Sequence, residues 1–130
     1  MAETQQTTPY ALMGGQQAII SLVDRFYFYM DTKPEVKELR AIHAPELEPV
    51  KEKLVKFLSG WLGGPDLFVQ EYGHPRLKQR HFPFQVDKLT RDQWMWCMQK
   101  AIYEVSMPDE LRKNIMQAFA DLATHMINTE

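Results

Sequence analysis

A single cysteine, Cys97, in 130 residues rules out an intramolecular disulfide framework and any metal site built on paired thiolates. One thiol fits a reducing compartment. Fifteen Lys plus Arg against seventeen Asp plus Glu leave a formal charge of -2, so no global field draws the chain to nucleic acid or to an anionic membrane. No segment approaches the roughly eighteen consecutive apolar residues of a membrane span, and the start from Met1 to Thr8 is polar, without a basic leader followed by an apolar stretch. Alternation of strand length, internal repeats, low-complexity tracts and flavin or nicotinamide motifs are all missing. The expectation is a cytoplasmic protein with one domain over residues 1–130, in which 1–8 form a flexible extension. A chain of this length buries roughly 65 to 70% of its unfolded surface.

What is abundant is bulk: three Trp, five Tyr, seven Phe and eight Met. These serve a helical core or the lining of a large apolar cavity, and composition alone does not separate the two. After Gly14 and Gly15, the residues Ile19, Ile20, Val23, Phe26, Tyr27 and Met30 recur at three- and four-residue steps, which predicts an amphipathic helix. Asp31 or Thr32 is expected to cap a short helix with Pro34 in its first turn, ending near 43–45. Leu47, Val50, Leu54, Phe57, Leu58 and Trp61 form a second stripe opposite Glu48, Lys51, Glu52 and Lys56, stopped by Gly63, Gly64 and Pro65. A loop-rich interval with Gly73 and Pro75 leaves room for only a short helix before His81, and Pro83 ends it. Thr90 and Gln93 have capping-box spacing ahead of a stripe from Trp94 to Val105, and Pro108, Asp109 and Glu110 open a last helix whose stripe runs from Leu111 to Met126. The fold class is all-α.

An ordinary four-helix bundle has little use for an irregular interval that ends in a histidine. In Arg80-His81-Phe82-Pro83-Phe84 an imidazole sits in an apolar collar beside cations at Lys78 and Arg80. Haem iron is held by such a ligand, in an apolar slot with counter-charges for the propionates. A packed or capping histidine reads the same way by spacing alone. Other constellations are weaker. His74 and His81 are seven apart, but Pro75 lies between them and no third zinc ligand is evident. Cys97 lies by an apolar stripe, where thiols are inert, and His125 reads as a surface or C-terminal capping residue.

The segment 73–98, with Gly-His-Pro-Arg-Leu, Arg-His-Phe-Pro-Phe and Arg-Asp-Gln-Trp-Met-Trp-Cys-Met, resembles the group II truncated haemoglobins. Phe26-Tyr27, Gly14-Gly15 and Gly63-Gly64-Pro65 fit the same family in the same order, so the likeness covers nearly the whole chain. The resemblance implies a truncated globin, a two-over-two helical sandwich around haem b, with a proximal segment that is mostly loop. It makes His81 the proximal iron ligand, Tyr27 the distal tyrosine, Trp94 the tryptophan of the penultimate helix, and His43 a distal residue at the corner after the short third helix. Val50 falls where globins usually carry a distal histidine. Leu54, Phe57, Phe68, Leu77, Phe84, Val86 and Met98 become pocket walls, and Lys53 and Arg80 propionate partners. Plain core packing is the competing reading for the walls, for Tyr27 and for Trp94, as a solvated helix face is for Lys53 and an exposed loop for His43.

Tyr27, Trp94 and His43 are then three expected donors around the ligand, which would slow its release. The implied function is binding of dioxygen, carbon monoxide or nitric oxide, by a monomer or a homodimer. An enzymatic reading, turnover of nitric oxide or peroxide, stays open and needs a separate reductase as partner. A haem-free helical interaction module is the remaining alternative.

Overall fold

A computed structural model describes residues 8–81 and 85–128, apart from the Lys78 side chain; Phe82, Pro83 and Phe84, including the expected wall residue and the helix-ending proline, lie outside it. Helix α1 spans Pro9–Met13, α2 Gly15–Thr32, a 3-10 turn Pro34–Val36, α3 Lys37–Ala41, α4 Glu48–Trp61, α5 Leu67–Tyr72, α6 Leu77–Arg80, α7 Lys88–Tyr103 and α8 Asp109–His125. Among the described residues there is no strand, and no helix is long and apolar enough to cross a membrane. Helix α2 packs on α4 and α7, and α7 packs on α8. This is the expected sandwich, α2 and α4 over α7 and α8.

The stripes account for the layers. On α2 the buried set is Ile19, Leu22, Val23, Phe26, Tyr27 and Met30, a 3-4 alternation in which Leu22 is buried and the expected Ile20 only half-buried. Phe26, Met98, Ile102 and Phe119 have no accessible surface, and burying each contributes about 1.5–3 kcal/mol. Helix α4 differs. Of its expected stripe Leu58 alone is buried, whereas Leu47, Val50, Leu54, Phe57 and Trp61 are half-buried, so protein covers this face incompletely.

Two corners show why the glycines are where they are. Gly14 ends α1 at φ +117°, a left-handed conformation that L side chains avoid, and α2 starts from it. A Cβ on Gly64 would stand 2.5 Å from the Tyr10 ring, so only glycine lets α1 dock against the turn after α4. Thr8 caps α1, its hydroxyl accepting from Ala11 N–H at 3.2 Å.

Two expected caps are corrected. Neither Asp31 nor Thr32 caps the short third helix: the Thr32 hydroxyl donates back to Phe28 O at 2.7 Å and Asp31 pairs with Arg40 Nε at 2.9 Å. The capping box of α7 is Asp87 with Thr90, one turn earlier than the Thr90-Gln93 spacing suggests. Asp87 Oδ1 accepts from Thr90 N–H at 2.9 Å and Thr90 Oγ1 accepts from Asp87 N–H at 3.0 Å.

Candidate functional site

His81 follows directly on the last turn of α6. Its N–H donates to Leu77 O at 3.1 Å, and its ring Nδ1 lies 2.6 Å from that same oxygen. A carbonyl oxygen only accepts, so Nδ1 carries the proton and Nε2 keeps its lone pair. This is the tautomer a metal-ligating imidazole needs, fixed by the bond the other nitrogen makes. The His81 carbonyl in turn accepts from Asn128 Nδ2 at 3.1 Å. Arg80 is exposed; its Nε donates to Pro75 O at 2.6 Å and its guanidinium lies 5.2 Å over the Phe68 ring.

From Phe68 a continuous series of rings runs to the other side of the site. Phe68 meets Phe57 at 6.3 Å, Phe57 stacks on Trp61 at 6.1 Å, Trp61 stacks on Phe119 at 5.0 Å, and Phe119 meets Trp94 at 5.6 Å. Trp94 then meets Phe26 at 5.2 Å, Phe26 meets Tyr27 at 4.9 Å, and Tyr27 meets His43 at 6.2 Å. Each such pair is worth about 0.5–1.5 kcal/mol beyond its buried area, so the rings hold one another in place. Sequence reading placed Tyr27, Trp94 and His43 together; in the structure Tyr27 and Trp94 both meet Phe26, and His43 meets Tyr27.

Tyr27 is 4% exposed, and burial pushes its phenol well above the usual range, so it stays protonated. No sealed side-chain polar atom among the described residues lacks a partner. The hydroxyl of Tyr27 and the indole N–H of Trp94 make no hydrogen bond to a described residue, so both open onto accessible space. Each is left as a donor.

His43 behaves differently from expectation. Its Nδ1 lies 2.9 Å from Leu39 O, so this nitrogen holds the proton and Nε2 is an acceptor. Burial, above all, lowers its pKa, with the charges of Arg40 and His81 adding to the effect and the Leu39 bond opposing it. A neutral, accepting His43 replaces the expected third donor.

The expected walls divide by cover. Val50, Leu54, Phe57 and Leu77 are half-buried, Phe68 and Val86 are 6% and 8% exposed, and Met98 has no accessible surface. Lys53 is exposed, with Nζ 5.6 Å over the Tyr72 ring of α5. Cys97 is fully buried and its thiol is pushed up to about 12. His74 turns on its own loop, its Nδ1 accepting from Arg76 N–H at 3.1 Å, and His125 is exposed in the last turn of α8. Among the described residues no three His, Cys, Asp or Glu gather as a metal site.

The donor set therefore fits a flat iron cofactor. It combines the His81 imidazole with its Nε2 lone pair, an incompletely covered apolar face on α4, and cations at Arg80 and Lys53. The partners of two polar residues went unread. Gln93 is 8% exposed and, instead of capping its own helix, reaches across to α3, where its Oε1 accepts from Leu39 N–H at 2.8 Å and its Nε2 donates to Glu38 at 2.8 Å. Asn128 ties His81 to Val86 and carries no sequence signal beyond following a helix.

Comparison with known proteins agrees with this arrangement. The family described as bacterial-like globin matches residues 8–128. Group 2 truncated hemoglobin YjbI of Bacillus subtilis is 34% identical over 120 residues, 92% of this chain and 88% of the relative. Among solved structures, the cold-adapted truncated hemoglobin of Pseudoalteromonas haloplanktis is 44% identical with a TM-score of 0.93, covering 95% of this chain and 100% of its own. A truncated oxygen-avid haemoglobin from Bacillus subtilis is 34% identical with a TM-score of 0.86, covering 94% and 100%.

Proposed function

The chain belongs to the bacterial-like globins, a haem-binding family, and we propose that His81 holds the iron while dioxygen or another diatomic gas is taken up on the side of Tyr27 and Trp94. The observation that carries this reading is the bond from His81 Nδ1–H to Leu77 O, because it leaves the Nε2 lone pair available to iron. When bound, the haem supplies a ferrous iron with one open coordination position.

The side chains account for the selectivity of that position. Tyr27 O–H and Trp94 N–H are both protonated donors, and they favour a ligand whose outer atom carries partial negative charge. A hydrogen bond to a charged group contributes about 1.5–3 kcal/mol, and each 1.4 kcal/mol slows release about tenfold. His43 Nε2 accepts, so in this tautomer it adds no donor to the pair beside it. The apolar Val50 adds neither donor nor acceptor. Arg80 and Lys53 offer charge to the propionates, Arg80 keeping its remaining guanidinium nitrogens for that role.

Purification from haem-sufficient cells tests the reading. The wild type is expected to show a Soret band, and His81→Gly to bind haem much more weakly, with added imidazole restoring the spectrum. A wild type without Soret absorption, or unchanged haem affinity in His81→Gly, overturns the proposal.

A further inference from the structure

The segment that carries His81 cannot position itself. Helix α6 has four residues, far short of the length at which a helix stands alone in water. The His81 ring is fixed to this short helix through Leu77 O, so whatever orients α6 orients the imidazole. That support comes from beyond α8. Asn128 Nδ2 donates to His81 O at 3.1 Å, Asn128 Oδ1 accepts from Val86 N–H at 2.9 Å, and Asn128 N–H donates to Val86 O at 2.9 Å. One planar amide therefore holds both ends of the stretch from 81 to 86. Its anchor is rigid: α8 has 17 residues and packs along α7, and Met126, which ends it, is 8% exposed.

We propose that Asn128 is a positioning residue for the iron ligand. Through its bonds to His81 O and to Val86 it sets the placement of the imidazole, and so the strength of the iron–histidine bond and the retention of haem. The inference rests on His81 being that ligand. Both functions of the amide are needed, a donor toward His81 and an acceptor toward Val86, and no other side chain of this length supplies the pair.

Asn128→Asp separates these functions, because it keeps the acceptor for Val86 N–H and turns a carboxylate oxygen toward the His81 carbonyl. Asn128→Ala removes both. In the full-length holoprotein the deoxy-ferrous iron–histidine stretching band is expected to shift in both variants. Haem transfer to excess apoglobin is expected to quicken about tenfold in Asn128→Asp, from the loss of one neutral hydrogen bond together with the repulsion between a carboxylate and the His81 carbonyl. Variants with a lower melting temperature but an unmoved band and unchanged haem transfer would show that Asn128 merely stabilises the loop, which overturns the proposal. His81→Gly, run in parallel, separates the two claims: if it leaves the haem spectrum unchanged, the ligand assignment itself has failed.

Discussion

Replacing Gln93 by leucine should cost more than a surface glutamine ever does, because this side chain caps a helix from which it is remote in sequence. The N-cap of α3 is Val36, which has no side-chain acceptor, and the first-turn N–H of Leu39 is taken by Gln93 Oε1 at 2.8 Å across 54 residues. Leucine preserves the volume and strands that N–H. An unsatisfied buried donor costs about 1–3 kcal/mol, so the expected loss is about 2 kcal/mol, or roughly 8 °C in melting temperature for a domain of this size. Urea unfolding of the apoprotein measures it, with an unchanged slope showing that only stability moved. Gln93→Glu sharpens the test. It keeps the acceptor for Leu39 but opposes Glu38, whose carboxyl is held below its usual 4.5 chiefly by the Gln93 donor. Both carboxylates are ionised at neutral pH, so Gln93→Glu should be least stable there and recover as acid protonates one of them. In Gln93→Leu the largest cause of the Glu38 depression is lost, and the depression shrinks. Its contribution is present above 4.5 and fades as pH falls through the lowered value, so that deficit narrows in acid. A loss below about 0.5 kcal/mol for leucine, or a pH-independent glutamate variant, refutes the reasoning.

The donor assignment predicts that Tyr27→Phe and Trp94→Phe each raise the dioxygen dissociation rate about tenfold or more, by flash photolysis and stopped flow; unchanged rates in both would remove the donors from the account. Asp87→Ala is expected to destabilise α7 at neutral pH and to flatten the acid limb of the stability curve. The Asp87 carboxyl is lowered from 3.8 chiefly by Thr90 N–H, so its contribution is present above 3.8 and lost as pH falls through the folded value. Equal stability of Asp87→Ala and wild type by thermal melts from pH 2 to 7 would contradict this.

Local regularity made the long helices legible in the sequence. On α2, α7 and α8 the apolar residues recur every three or four positions, and burial follows that period in part: Leu22, Gln93 and Ala123 are buried outside the expected stripes, while Ile20, Trp94, Leu111, Ala118 and Leu122 are only half-buried. The proximal interval was legible as irregular, although it holds two short helices, α5 and α6, rather than one. His81, Tyr27 and Trp94 were singled out by a motif that spans most of the chain. What escaped was long-range polar chemistry. Gln93 sits at a spacing that mimics a capping box, yet its partners lie on α3, and Asn128 reaches back to His81 and Val86 from a position with no periodicity. The tautomer of His43 was illegible for a related reason. Residue type shows that an imidazole can donate or accept, but only the Leu39 carbonyl decides which nitrogen does which.

The bond from Asn128 to His81 spans 47 residues, and this bears on the order of events during synthesis. Tyr27, Trp94 and His81 itself leave the ribosome well before residue 128 does. A nascent chain halted ahead of α8 therefore possesses Tyr27, Trp94 and the imidazole proposed for the iron, while α6 still lacks its tether. Closing so long a loop costs entropy that the packing of α8 on α7 helps to offset. With Asn128 as the positioning residue, tight haem capture waits for the last helix, and a fragment that ends early holds the proposed ligand without its tether.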